Sequence, residues 1–173
     1  MRETFQHLAT TIFLTYALRN ADCHAKNIAL LYTSSEDVHS APVFDMLTTN
    51  VYPGHQDSPP GISFMGKRTW IPGKALGKFL TANFDVAARE QLEMIEKISD
   101  AVSEVGPAVR KAMTDYPDFR EIGKRMLMSW QEGVRGLRDK RSFVLGHWSA
   151  GDAFHGFSDP PKLKVVKKIV GQS

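Results

Sequence analysis

In Asn20-Ala21-Asp22-Cys23-His24-Ala25-Lys26-Asn27 an acid, Asp22, is followed five residues later by an amide, Asn27. A second acid, Asp45, comes after two short apolar stretches separated by a polar turn. These residue types can build a magnesium–phosphate site. Mg²⁺ is a hard cation that takes carboxylate, amide and phosphate oxygens, so Asn27 and Asp45 are candidate metal ligands. A carboxylate such as Asp22 can orient a hydroxyl and accept its proton. Phosphoryl transfer needs positioning and charge neutralisation more than covalent chemistry, and an Asp beside a held Mg²⁺ supplies both.

The neighbouring residues have competing readings. Lys26 can neutralise a transferring phosphate or pair with Asp22 across the loop. His24 could serve as a base or metal ligand, but the favoured reading packs it beneath the loop with a hydrogen bond to backbone. Cys23 reads as a small filler, because adjacent residues generally point apart and a nucleophilic Cys23–His24 pair is not expected. A metal-dependent phosphohydrolase built from Asp22, His24, His39 and Asp45 would hold a transition metal through imidazole. It ranks last, because His39 falls in mid-strand, far from Asp22. Lys67 and Arg68 read as a solvated face. Trp70, Trp130 and Trp148 read as packing residues.

The elements that must position these residues follow from periodicity. Phe5, Leu8, Ala9, Ile12, Phe13, Tyr16 and Ala17 recur at helical spacing, which predicts a largely buried helix over 4–19 running straight into the motif. Ile28–Tyr32 and Val38–Phe44, separated by a polar turn, predict a β-hairpin. Asn27 then sits at the start of one strand and Asp45 at the end of the other, on one edge. Residues 46–73 carry Pro53-Gly54, Pro59-Pro60-Gly61 and Pro72-Gly73, which predicts a long loop with a short strand at Ile62–Phe64. A short helix is expected over Gly73–Thr81. Asp85 is the expected N-cap of a helix over Val86–Val105, with Ala87, Leu92, Ile95, Ile98 and Val102 inward. Gly106-Pro107 is expected to end it, with a further helical turn over Ala108–Met113. A last helix, over Asp118–Leu137, turns Ile122, Met126, Leu127 and Trp130 inward. The coarse reading is mainly α with a small β-hairpin at the site.

At 173 residues the chain is long enough for one domain with a core. A hydrophobic fraction of 42% and a charged fraction of 24% are those of a soluble globular protein. The net charge of +3 is mild, and direct nucleic-acid binding, which needs a concentrated basic stripe, is not expected. The single cysteine excludes an intrachain disulfide and fits a reducing, cytoplasmic setting. No run approaches the roughly 20 apolar residues of a membrane-spanning helix. Glu3, Gln6 and His7 interrupt any signal-peptide core.

Asp22-Cys23-His24-Ala25-Lys26-Asn27 resembles the D-x-H-x-K-N catalytic loop of the HipA-like serine/threonine kinases, the toxin components of bacterial toxin–antitoxin pairs. The similarity continues through Pro42-Val43-Phe44-Asp45-Met46-Leu47, the segment around that family's second metal-binding Asp. It extends more loosely over Val51-Tyr52-Pro53 and Ile62-Ser63-Phe64-Met65-Gly66-Lys67-Arg68, and covers roughly residues 4–140.

The resemblance implies a protein-kinase-like C-terminal lobe over 1–145, with its catalytic loop at 20–27, its metal-binding acid at Asp45 and a helical subdomain at 74–138. Residues 146–173, with Lys162, Lys164, Lys167 and Lys168, are expected as a loosely ordered basic tail. By resemblance Asp22 is the catalytic base, with Lys26 beside it. Asn27 and Asp45 hold Mg²⁺ against the phosphates of ATP, and His24 joins them among the cofactor-contacting candidates. The implied partners are a protein substrate and a small HipB-like helix-turn-helix antitoxin. Full-length members carry an N-terminal lobe with a nucleotide-covering loop and a phosphate-pairing lysine. No G-x-G-x-x-G and no P-loop pattern occurs here, and only about twenty residues precede Asp22. The expectation is a C-terminal lobe alone, incomplete without a separate N-lobe. The alternative is a non-catalytic remnant that docks an antitoxin or a partner lobe.

Overall fold

The computed structural model describes residues 2–64 and 66–139. The expected tail at 146–173, Trp148, Met65 and the expected domain end at 145 lie outside the described residues. The fold is mainly helical, with a two-stranded antiparallel hairpin.

Helix α1 spans Arg2–Leu18 and buries Ala9, Ile12, Phe13, Tyr16 and Ala17, much as the periodicity predicts. It ends where Arg19 turns into the left-handed region at φ 56°. The Arg19 N–H then donates to the Tyr16 carbonyl at 3.3 Å and the Asn20 N–H to the Thr15 carbonyl at 3.0 Å, which takes up carbonyls the helix leaves free. Strands β1 (Leu30–Tyr32) and β2 (Val38–Ser40) pair antiparallel with Leu31 opposite His39. Both are shorter than expected. One further bond, from the Ala41 N–H to the Ala29 carbonyl at 2.9 Å, extends the ladder, and then Pro42 has no amide to offer.

Helices α2 (Gly73–Phe84), α3 (Ala88–Asp115) and α4 (Arg120–Leu137) complete the domain. Helix α1 packs against the other three, and α3 against α4. Their apolar faces share one core that includes Phe13, Tyr16, Leu80, Ile95, Val134 and Leu137.

Three expectations about α3 are corrected. Asp85 does not cap its start: it closes α2 in a left-handed conformation, φ 51°, with its N–H on the Leu80 carbonyl. The start of α3 is tied instead by Glu90, whose carboxylate accepts the Ala87 N–H at 2.9 Å. Ala87 is therefore exposed and Leu92 only half-buried, and Gln91 takes the inward position. The two hydrogens of the Gln91 amide nitrogen are shared among the carbonyls of Gly77 and Val86 and the Thr81 hydroxyl, at 3.1, 2.8 and 3.0 Å, tying α2 to α3. Finally, Gly106-Pro107 does not end the helix, which runs on to Asp115. Pro107 lies on the exposed face, where water can reach the carbonyl that its ring leaves without a donor. On the opposite face Val102, Gly106 and Val109 are buried, so burial outweighs the local penalty. The strand expected at Ile62–Phe64 is reduced to a single bridge in which Phe64 and Lys67 exchange backbone bonds of 2.9 and 3.0 Å. Among the described residues no helix is long and apolar enough to cross a membrane.

Helices α1 and α4 approach each other closely. A Cβ on Gly133 would stand 2.2 Å from the Ala17 carbonyl oxygen and 2.5 Å from that of Tyr16. Gly133→Ala gains helix propensity of about 1 kcal/mol but forces two backbones apart, and the expected net result is a loss of about 2 kcal/mol in a urea melt. An unchanged melt would mean that α1 and α4 do not meet backbone to backbone.

Candidate phosphate and metal site

The motif loop leaves the end of α1 and is held by buried polar groups. The Thr49 hydroxyl accepts the Ala21 N–H at 2.7 Å and donates to the Arg19 carbonyl at 3.1 Å. Thr49 sits in a single 3₁₀ turn, Thr49–Val51, and the preceding Thr48 hydroxyl accepts the Trp130 indole N–H at 2.7 Å. Helix α4 therefore fixes the 48–51 turn, and that turn fixes the motif loop. Trp70 adds a second brace, with its ring 5.2 Å from the Arg19 guanidinium carbon and 5.8 Å edge-on from Tyr16. Arg19 also pairs with Glu132 of α4 at 3.4 Å, and burial pushes its pKa down. Gly61 lies directly on the loop: a Cβ there would be 2.2 Å from the Cys23 carbonyl oxygen.

Within this frame Asp22 and His24 face solvent while Cys23 is buried. A 3₁₀ turn over Ala25–Asn27 follows. The Asn27 side-chain oxygen accepts the His24 backbone N–H at 3.2 Å, and its amide nitrogen donates to the Asp45 carboxylate at 2.6 Å. The two candidate metal ligands are thus in direct contact, although each lies outside the short strands. Asp45 takes the left-handed conformation, φ 53°, unusual for a residue with a side chain. Beside the pair a shallow cleft runs between α1 and the base of the hairpin, lined by His7, Thr11, Asn27, Ala41 and Phe44 among others. The His7 Nε2 is buried there without a hydrogen-bond partner among the described residues.

The other sequence candidates fall as follows. His24 is exposed, so it does not pack beneath the loop; its main chain makes the bonds, its N–H to the Asn27 side-chain oxygen and its carbonyl accepting the Asn27 N–H at 2.9 Å. Lys26 is exposed and makes no ion pair with Asp22 among the described residues. His39 is in the middle of β2, 3.6 Å from Asp37, and is not brought to the loop. Among the described residues no three His, Cys, Asp or Glu side chains group to hold a metal, so the imidazole-rich phosphohydrolase site does not assemble. Arg68 is more than a solvated charge: its Nε donates to the Pro60 carbonyl at 2.6 Å, next to Gly61.

Sequence reasoning missed Asn20, Thr48 and Thr49. Asn20 is 1% exposed. Its oxygen accepts the Asp22 N–H at 3.1 Å and its amide donates to the Asp45 carbonyl at 3.2 Å. The only signal was its polarity at the end of an apolar helix, which by itself looks like an ordinary turn residue.

Compared with known proteins, residues 1–130 match the family model described as the HipA-like C-terminal domain. No curated protein and no solved structure matches the chain.

Burial raises the Cys23 thiol above its ordinary value, and the charges of Asp22 and Asp45 push in the same direction against a hydrogen bond with Thr15. The fold thus holds the thiol proton more tightly than the unfolded chain does. This stability is present below the unfolded pKa, near 9.0, and is lost as pH rises beyond it. Urea melts from pH 8 to 10 should show a falling midpoint, and Cys23→Ala should flatten the fall. At pH 8 a thiol reagent should label the native chain about a hundredfold more slowly than the unfolded chain. Equal rates would place Cys23 at the surface.

Proposed function

We propose that this chain, which belongs to the family of HipA-like C-terminal domains, is the catalytic lobe of a Mg-ATP-dependent protein serine/threonine kinase. The observation that carries this reading is the contact of Asn27 with Asp45 beside an exposed Asp22. The Asp45 carboxylate and the Asn27 side-chain oxygen, which here accepts the His24 N–H while the amide nitrogen faces Asp45, would form a sparse, hard donor set once the amide turns its oxygen to the cation. Mg²⁺ accepts such a set, because it commonly takes one or two carboxylates and fills its remaining positions with phosphate oxygens and water. Bound with ATP, the cation would neutralise charge on the phosphates as the γ-phosphoryl group leaves.

The chain's own residues would do the rest. Asn27 and Asp45 would hold the cation at the loop edge. Asp22, exposed and with its backbone fixed by Asn20, would orient a protein Ser or Thr hydroxyl and accept its proton. As the hydroxyl oxygen forms its bond to the γ-phosphorus, the bond to ADP breaks. Lys26, unpaired with Asp22, would be available to the transferred phosphate. The nucleotide-covering part would come from an N-lobe.

A second reading is a docking module for an antitoxin or a partner lobe. It is favoured by the hairpin, where Leu30, Leu31, Tyr32 and Val38 are all exposed.

Calorimetry of Mg-ATP binding separates the two. The kinase reading expects binding that requires Mg²⁺, disappears in Asp45→Ala and survives in Asp22→Ala. In the assembly with its N-lobe, Asp22→Ala should then lower transfer by about a hundredfold to ten-thousandfold. No binding by the wild-type chain, alone or with an N-lobe, would leave the docking reading. An unchanged rate in Asp22→Ala would remove Asp22 from the mechanism.

A further inference from the structure

We infer that Asn20 is a positioning residue that sets the geometry of both acids at once, through two hydrogen bonds of opposite polarity from one buried amide. The consequence for metal affinity rests on the reading of Asn27 and Asp45 as magnesium ligands; the geometric inference does not.

Asn20 lies 1% exposed between the two loops. Its oxygen accepts from the Asp22 N–H at 3.1 Å, and its nitrogen donates to the Asp45 carbonyl at 3.2 Å. The Met46 sulfur lies 3.6 Å from the same nitrogen. A buried amide left unpaired is costly, so each bond defends the other. The Asp45 bond has a specific task. Asp45 is held at φ 53°, a conformation that brings a Cβ close to the following carbonyl and that residues other than glycine adopt only with local support. Such a conformation persists only where its surroundings over-determine it. Asn20 grips the carbonyl of that strained residue, and Asn27 grips its carboxylate at 2.6 Å. With the main chain fixed on one side and the side chain on the other, the Asp45 carboxylate has one direction in which to point. The Asp22 bond fixes the backbone from which the other acid projects.

Asn20→Asp separates the two bonds. The introduced carboxylate keeps the shape and still accepts from the Asp22 N–H, but it cannot donate to the Asp45 carbonyl and faces it with like polarity. Asn20→Ala removes both bonds. The primary readout is the ¹⁵N–¹H signal of the Asn27 side-chain amide, which reports its bond to Asp45 without any metal. Both Asn20 variants should shift this signal towards that of a solvent-exposed amide. Val109→Ala, which loosens α3 away from the site, should leave it in place at comparable loss of stability. An unshifted Asn27 signal in folded Asn20→Asp overturns the inference.

The second readout is Mn²⁺ affinity by electron paramagnetic resonance, with Mn²⁺ alone as the probe. Both variants should bind it on the order of tenfold more weakly than wild type. Equal affinity, with the Asn27 signal shifted, overturns the claim that Asn20 acts on the metal site. If wild type binds neither Mn²⁺ nor Mg-ATP, the magnesium reading falls, and the Asn27 signal still decides the geometry. If neither variant folds, hydrogen exchange in the wild-type chain decides. The Asn20 side-chain amide should exchange far more slowly than that of exposed Asn83, and equal rates overturn the inference.

Discussion

A helix that ends inside a protein leaves carbonyls where water cannot reach them, and here the end of α1 is such a place. Tyr16 and Ala17 are buried, and Gly133 of α4 brings its backbone against their carbonyl oxygens. The chain must leave this point by a path that pairs its polar groups. Arg19 turns left-handed so that its own N–H and that of Asn20 can face back along the helix. Thr49 then pairs with both sides of the turn, and Asn20 takes the next amide. The route of residues 19–22 is therefore set by hydrogen-bond satisfaction in the interior, and the direction of Asp22 follows from that route.

The same constraint explains why chemistry-bearing and inert residues alternate along the loop. Once Asn20 is buried and Asp22 is turned to solvent, Cys23 must turn inward, where Thr15 and the packed backbone of Gly61 receive it. Burial and the two nearby carboxylates keep its thiol protonated, which makes it a packing residue and a poor nucleophile. His24 turns outward again. Asp22 and Asp45 are both exposed, so water screens any repulsion between them. The left-handed backbone of Asp45 belongs to the same arrangement, in which its carboxylate accepts from the Asn27 amide.

Much of the fold was legible along the chain. The period of α1 and the apolar side of α4 with Trp130 can be read from residue spacing, because each of these helices meets the core with one regular face, and the exposed hairpin is legible from its apolar runs flanking a polar turn. The errors share a cause. Asp85 has the composition of an N-cap and Gly106-Pro107 that of a helix stop, but local propensity is worth about 1 kcal/mol for a cap and about 3 for a proline. The buried face from Val102 to Val109 and the Gln91 ties between α2 and α3 outweigh such preferences. Neither is visible locally, because both depend on what another helix presents.

By itself the sequence determined the types and order of Asp22, Asn27 and Asp45, the helix that leads into them and the family to which the chain belongs, since all of these are properties of residues in a row. Only the tertiary structure decided that the Asn27 amide bonds the Asp45 carboxylate directly, and that Asn20, Thr48 and Thr49 hold the loops in place. Buried polar groups must find partners wherever the packing of distant segments puts them, and Thr48 finds its partner 82 residues away on α4. Spacing along a chain carries no record of such pairings.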